Sequence, residues 1–182
     1  MPIYISMLRG INLLGHKRVE MARLRVMCEG MGFEQVRTYI NSGNVVFKTG
    51  RSAPAGLSKR IEERIVAEFG FTASVITRTA AELGRAIDGN PFVKESRSDP
   101  SKVFIAFLEQ APKAAAIEKL RARASKAEQV HCSGGREIYA YYVDGMGKAR
   151  LLTHGVLERV LVVGATMRNW NTVSRLYEMA GE

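Results

Sequence analysis

Val36-Arg37-Thr38-Tyr39-Ile40, then Asn41-Ser42-Gly43-Asn44, then Val45-Val46-Phe47-Lys48 is the stretch on which the fold turns. Two short runs rich in β-branched and aromatic residues flank four residues suited to a tight hairpin, where positive φ is needed. The stretch therefore predicts two antiparallel strands, Val36 to Ile40 and Val45 to Lys48. On its N-terminal side, Val19 to Met31 places Leu24, Met27, Cys28 and Met31 on one helical face. Gly32 follows as the stop. Ile3 to Leu8 before it is a short apolar strand. On the C-terminal side, Leu57, Ile61, Ile65 and Phe69 recur every four residues, the stripe of a helix over Leu57 to Phe69. Ser74 to Arg78 is a strand, and Thr79-Ala80-Ala81-Glu82 is a capping box that opens a helix to about Ile87. The order is β-α-β-β-α-β-α.

The order then repeats. Val103 to Leu108 is a strand, Pro112 to Ala124 an alanine-rich helix, and Gln129 to Cys132 with Glu137 to Val143 a second hairpin across Ser133-Gly134-Gly135. Lys148 to about Leu161 reads as mainly helical, Val162 to Arg168 holds a short strand, and Asn169 caps a last helix through Met179. Arg78-Thr79 and Arg168-Asn169 match as an arginine followed by a capping residue. The fold class expected is α+β, two ferredoxin-like (α-β plait) halves, because β-α-β-β-α-β with right-handed crossovers gives a four-stranded antiparallel sheet with helices on one face. The bounds expected are 1–88 for the first half, 89–101 for a linker carrying Lys94, Glu95, Arg97 and Asp99, and 102–182 for the second half. Tyr4, Tyr39, Phe104, Tyr139, Tyr141 and Tyr142 crowd the strands, and two open sheet faces packed together would hide many of those rings.

Composition excludes several classes. The 182 residues are 46% hydrophobic and 25% charged, an ordinary globular mixture. Lys and Arg number 27 against 18 Asp and Glu, a net charge of +9. The excess is even, 13 minus 8 (+5) in residues 1–90 and 14 minus 10 (+4) in residues 91–182. That permits an anionic partner without a basic tail. Cys28 and Cys132 give no disulfide framework; Cys28 sits in the helical stripe and Cys132 at a strand end. No apolar stretch reaches membrane-spanning length, and the N-terminus lacks the pattern of a secretory signal. The cytosol is the expected compartment.

Gly10-Ile11-Asn12-Leu13-Leu14-Gly15 has the glycine spacing of a phosphate loop, but His16-Lys17-Arg18 follows where Lys and then Ser or Thr belong. Nucleotide hydrolysis by that route is excluded. An anion held by loop N–H groups, the following helix N-terminus and nearby cations remains open. In Arg168-Asn169-Trp170-Asn171 the only tryptophan stands between two asparagines. Asn169 caps a helix on one reading; on the other, Arg168 and Asn171 hold a carboxylate or phosphate while Trp170 stacks a ring. Lys148 and Arg150 could add a further anion contact. His16, His131 and His154 have no zinc-motif spacing, and no nucleophile elbow or RNA-binding signature is present. No cofactor or metal is expected, and the sequence sets no oligomeric state.

Leu8-Arg9-Gly10-Ile11-Asn12, Tyr39 to Phe47, Asn90-Pro91-Phe92 and Arg168-Asn169-Trp170-Asn171-Thr172-Val173 together resemble the stations of a bacterial domain-of-unknown-function family, DUF1697. The resemblance spans nearly the whole chain. It implies two α-β plait halves and carries over no activity or catalytic residue. Where the family often has a double glycine after the first Asn, this chain has Leu13-Leu14-Gly15. Where it often has Ser before Lys-Leu, this chain has Ala149-Arg150-Leu151.

The function expected from these readings is binding of a small anionic or phosphorylated ligand at a cleft between the halves. Arg9, Asn12, Lys17, Arg168 and Asn171 are the contacts and Trp170 a stacking wall. The alternative is nucleic-acid binding through the net charge, with a steep salt dependence. A further alternative is an enzyme of unassigned reaction, for which His16 or Glu20 is the base nearest the first loop.

Overall fold

The computed structural model describes residues 1–13, 16–150 and 152–182. Leu14 and Gly15 of the glycine-spaced loop, and Leu151, lie outside the described residues. The chain divides into two compact units, Met1–Arg85 with Arg175–Glu182, and Ala86–Ser174.

The first unit holds β1 (Ile3–Leu8), α1 (Met21–Glu29), β2 (Glu34–Tyr39), β3 (Asn44–Lys48), α2 (Pro54–Phe69), β4 (Val75–Thr79) and the start of α3 (Ala80–Asp88). Its sheet order is β2-β3-β1-β4, all antiparallel. Alternation sends Tyr4, Leu8, Val45, Phe47 and Val75 into one core with Leu24 and Cys28 of α1 and Leu57, Ile61 and Ile65 of α2. The capping box forms as read: Thr79 Oγ1 accepts from Glu82 N at 3.1 Å, and Glu82 Oε2 accepts from Thr79 N at 2.8 Å.

The second unit holds α4 (Val93–Ser98), β5 (Val103–Leu108), α5 (Ala114–Arg121), β6 (Glu128–Cys132), β7 (Glu137–Tyr142), α6 (His154–Leu161), β8 (Ala165–Asn169) and the start of α7 (Trp170–Gly181). Its sheet order, β6-β7-β5-β8, is the same. The match reaches single residues. Ile5 stands opposite Val46 and Arg78, and Ile105 opposite Tyr139 and Arg168. Glu62 of α2 accepts from the first residue of β4, Val75 N, at 2.7 Å; Glu158 of α6 accepts from the first residue of β8, Ala165 N, at 3.0 Å.

Four local expectations are corrected. The hairpin's first strand stops at Tyr39, because Ile40 takes a left-handed φ of 49°. Helix α1 starts at Met21 rather than Val19, because Val19 N is held by Asn12 Oδ1, and it ends at Glu29 while Gly32 keeps the positive φ of a stop. The charged run read as a linker contains α4, seated by buried Asn90, whose Oδ1 accepts from Phe92 N and whose Nδ2 donates to Ser96 Oγ. Ala149, Arg150, Leu152 and Thr153, expected within a helix from Lys148, are not helical. The buried Glu128 carboxylate accepts from Arg150 N and Leu152 N, both at 2.8 Å, and Tyr142 Oη donates to Leu152 O. A chain segment spent on those bonds cannot also form a helical ladder.

The strand aromatics do not all share the sheet face away from the helices. Tyr4, Phe104 and Tyr142 belong to the helix-side cores, and Phe104 meets Tyr142 edge to face. Tyr139 and Tyr141 alternate with Ile138, Ala140 and Tyr142 and so point the other way. Tyr139 Oη donates to Ala86 O at 2.8 Å, and burial pushes its pKa up to about 12.

Candidate anion site

The loop after β1 is built around Asn12. Its Nδ2 donates to Val19 O (2.9 Å) and Asn41 O (2.8 Å), and its Oδ1 accepts from Val19 N (2.8 Å). Asn12 N donates to Lys17 O, which closes the loop on itself. Asn12 and Lys17 both take positive φ, 54° and 49°. Asn12 thus joins the loop to the hairpin turn, and its side-chain donors are committed to backbone. We expect Asn12→Ala to lower stability by about 1–3 kcal/mol, measured by urea unfolding, since two carbonyls and one N–H lose their partner.

Arg9 and Lys17 line one cavity of about 450 Å³ with Gly10, Glu62, Glu63 and Val66 of α2, and Thr72, Ala73 and Ser74 before β4. Arg9 is half-buried at the end of β1, where its N–H donates to Ser74 O at 2.9 Å. Lys17 Nζ donates to Thr72 O at 2.7 Å, which fixes the ammonium beside the cavity. The N-terminus of α1 is not part of the lining: the helix begins at Met21 behind an acidic N-cap residue, Glu20, which disfavours an anion there. Asn12 lines a smaller cavity, about 260 Å³, with His16, Arg18, Val19, Glu20 and Asn41.

The other candidates lie in the second unit. Arg168 is buried, its guanidinium donating to Thr166 Oγ1 (2.8 Å) and Met167 O (2.9 Å) of its own strand. Burial pushes its pKa down to about 10. Its counterpart Arg78 is also buried and donates to Thr77 O. The paired arginines are therefore interior residues of the β-α junctions. Asn169 Oδ1 accepts from Thr172 N at 3.0 Å, the expected helix cap. Trp170 is half-buried and Asn171 exposed on the first turn of α7. Lys148 and Arg150 are exposed, with Arg150 N engaged by Glu128.

The corner of the second unit that corresponds to the Arg9 corner is built differently. Glu109 N donates to Gly164 O at 3.0 Å, as Arg9 N does to Ser74 O. Glu109 stands where Arg9 would, and its carboxylate lies on Gly164; a Cβ there would come within 2.4 Å of it. The glutamates and the 72–74 segment of the first unit's cavity were not legible beforehand. Glu62 lies one residue outside the apolar stripe of α2, and only its bond to Val75 N ties it to this corner.

Both cysteines are buried, and burial pushes the Cys28 thiol up to about 12 and raises that of Cys132. A thiolate is the nucleophile, so both are inert in the native state. With a thiol reagent at pH 8, labelling of either cysteine is expected to proceed only at the rate of unfolding. Fast labelling of the native protein would contradict this. Among the described residues no group of His, Cys, Asp or Glu is arranged to hold a metal, and no helix is long and apolar enough to cross a membrane.

Residues 1–139 match a protein family described as a protein of unknown function, DUF1697. No curated protein matches the chain. Among solved structures, the chain is similar to the conserved bacterial protein SP0830 from Streptococcus pneumoniae. The two are 22% identical with a TM-score of 0.68, over 98% of this chain and 98% of that one. At that identity the likeness speaks to the fold.

Proposed function

We propose that this chain, which belongs to the DUF1697 family of proteins of unknown function, binds a small anionic molecule in the first unit's cavity. The observation that carries the proposal is the pairing of Arg9 and Lys17 on one cavity of about 450 Å³. That volume is in the range of small-molecule sites, roughly 300–1,000 Å³. Arg9 offers a planar donor fork suited to a carboxylate or phosphate. Lys17 is fixed by Thr72 O, so less side-chain entropy is lost when it meets a ligand. In the second unit the matching corner carries a carboxylate of the chain itself, which supports treating the first unit's corner as specialised. The residues lining this cavity do not include Arg168, Trp170 or Asn171. The strand order β2-β3-β1-β4 with two helices on one face supports reading each unit as a ferredoxin-like plait. Two free thiols suit a reducing compartment such as the cytosol.

Calorimetric titration with inorganic phosphate and with citrate tests the proposal. At least one should bind, and Arg9→Ala should weaken it about tenfold, the worth of one charge-assisted contact. Arg9→Lys should retain part of the affinity. An affinity unchanged in Arg9→Ala, or no binding of either anion, would remove the proposal.

A further inference from the structure

The same cavity is not uniformly cationic. Arg9 and Lys17 come from the end of β1 and the loop after it, whereas α2 contributes Glu62 and Glu63. Glu62 and Glu63 precede Val66 by four and three residues, so the three share one helical face. Glu62 is held in place by Val75 N at 2.7 Å, while Glu63 is exposed and Val66 is 44% exposed. Ala73 adds a second apolar patch to the lining. Two cations, two carboxylates and an apolar spot give a balanced charge pattern. A plain anion would gain from Arg9 and Lys17 and lose to the glutamates. An inorganic phosphate would also leave most of the space unfilled.

We infer that the ligand of this cavity is a small amphoteric molecule: its acidic group meets Arg9 and Lys17, and an amino group of the same molecule meets Glu63. The inference rests on the anion reading above and specifies its ligand class. It also accounts for the neutral balance of the lining, which a phosphate-only site has no use for.

The test compares 2-aminoethyl phosphate with ethyl phosphate and ethylamine by calorimetric titration of the intact chain. 2-Aminoethyl phosphate is expected to bind about fivefold more tightly than ethyl phosphate, as one half-solvated ion pair provides. Ethylamine alone should bind weakest. Glu63→Gln should erase the preference from both sides, weakening the amino compound and strengthening ethyl phosphate by loss of repulsion. Arg9→Ala should weaken both phosphates alike. Equal affinity for the two phosphates in the wild type, or a preference that survives Glu63→Gln, would overturn the amphoteric ligand and leave the anion site standing. Failure of both phosphates to bind would overturn the amphoteric ligand, and binding indifferent to Arg9→Ala would overturn both readings.

Discussion

Gly43→Ala should destabilise the protein by about 3 kcal/mol, the larger of two glycine effects that separate conformation from packing. Gly43 closes the first hairpin with a φ of 77°, where an L side chain costs about 1–2 kcal/mol. A Cβ there would also lie 2.5 Å from Ile11 Cδ1 and 2.9 Å from Leu8 Cβ, both buried residues. The backbone cannot withdraw, because Gly43 O accepts from Leu8 N at 2.7 Å. Overpacking therefore adds to the conformational cost. Gly134, in the second hairpin, has a φ of 85° but nothing within 4 Å of its added Cβ. Gly134→Ala should cost only the conformational part, about 1–2 kcal/mol. Urea unfolding of the two variants checks the difference; equal losses would contradict the packing argument.

Glu128→Ala should cost about 2–4 kcal/mol. Its carboxylate is buried and accepts from two backbone N–H groups, Arg150 and Leu152, that no helix or sheet supplies with partners. Alanine would leave both donors unsatisfied or wet, at about 1–2 kcal/mol each. Glu128→Gln keeps an acceptor oxygen but sets an NH2 group against the second donor, so it should recover only part of the loss. Hydrogen exchange gives the local signature: the Arg150 and Leu152 amides should exchange much faster in Glu128→Ala. Protection equal to wild type would mean that something other than Glu128 holds the segment.

The same residue marks where the sequence stopped being informative. Strands and caps were legible because their causes are local. The alternation in β1, the four-residue stripe of α2 and the box at Thr79 and Glu82 each act within one or two turns of chain. Arg150 and Leu152 read as helix because their determinant, Glu128, is 22 and 24 residues away. Helix α4 was hidden by its charges, although Asn90-Pro91 held the signal of an Asx turn. For the proposed site, residue type picked out Arg9 and Lys17, which line one cavity, since cations beside a glycine-rich loop are a local pattern. Residue type equally chose Arg168 and Asn12, which are spent on Thr166, Met167, Val19 and Asn41. Which side chains share a cavity, and which bond to the backbone of distant residues, is not written in a single stretch of sequence. Glu62 and Glu63 enter the cavity only because α2 packs along β4.

Where an anion sits on this chain decides the function proposed. Nuclear magnetic resonance titration of the labelled chain with inorganic phosphate, observed at the backbone amides, locates it directly. The prediction is saturable shifts concentrated at Gly10, Lys17, Thr72, Ala73 and Ser74, and lost in Arg9→Ala. Shifts scattered over exposed lysines without saturation, or a response at those five amides that persists in Arg9→Ala, would contradict it.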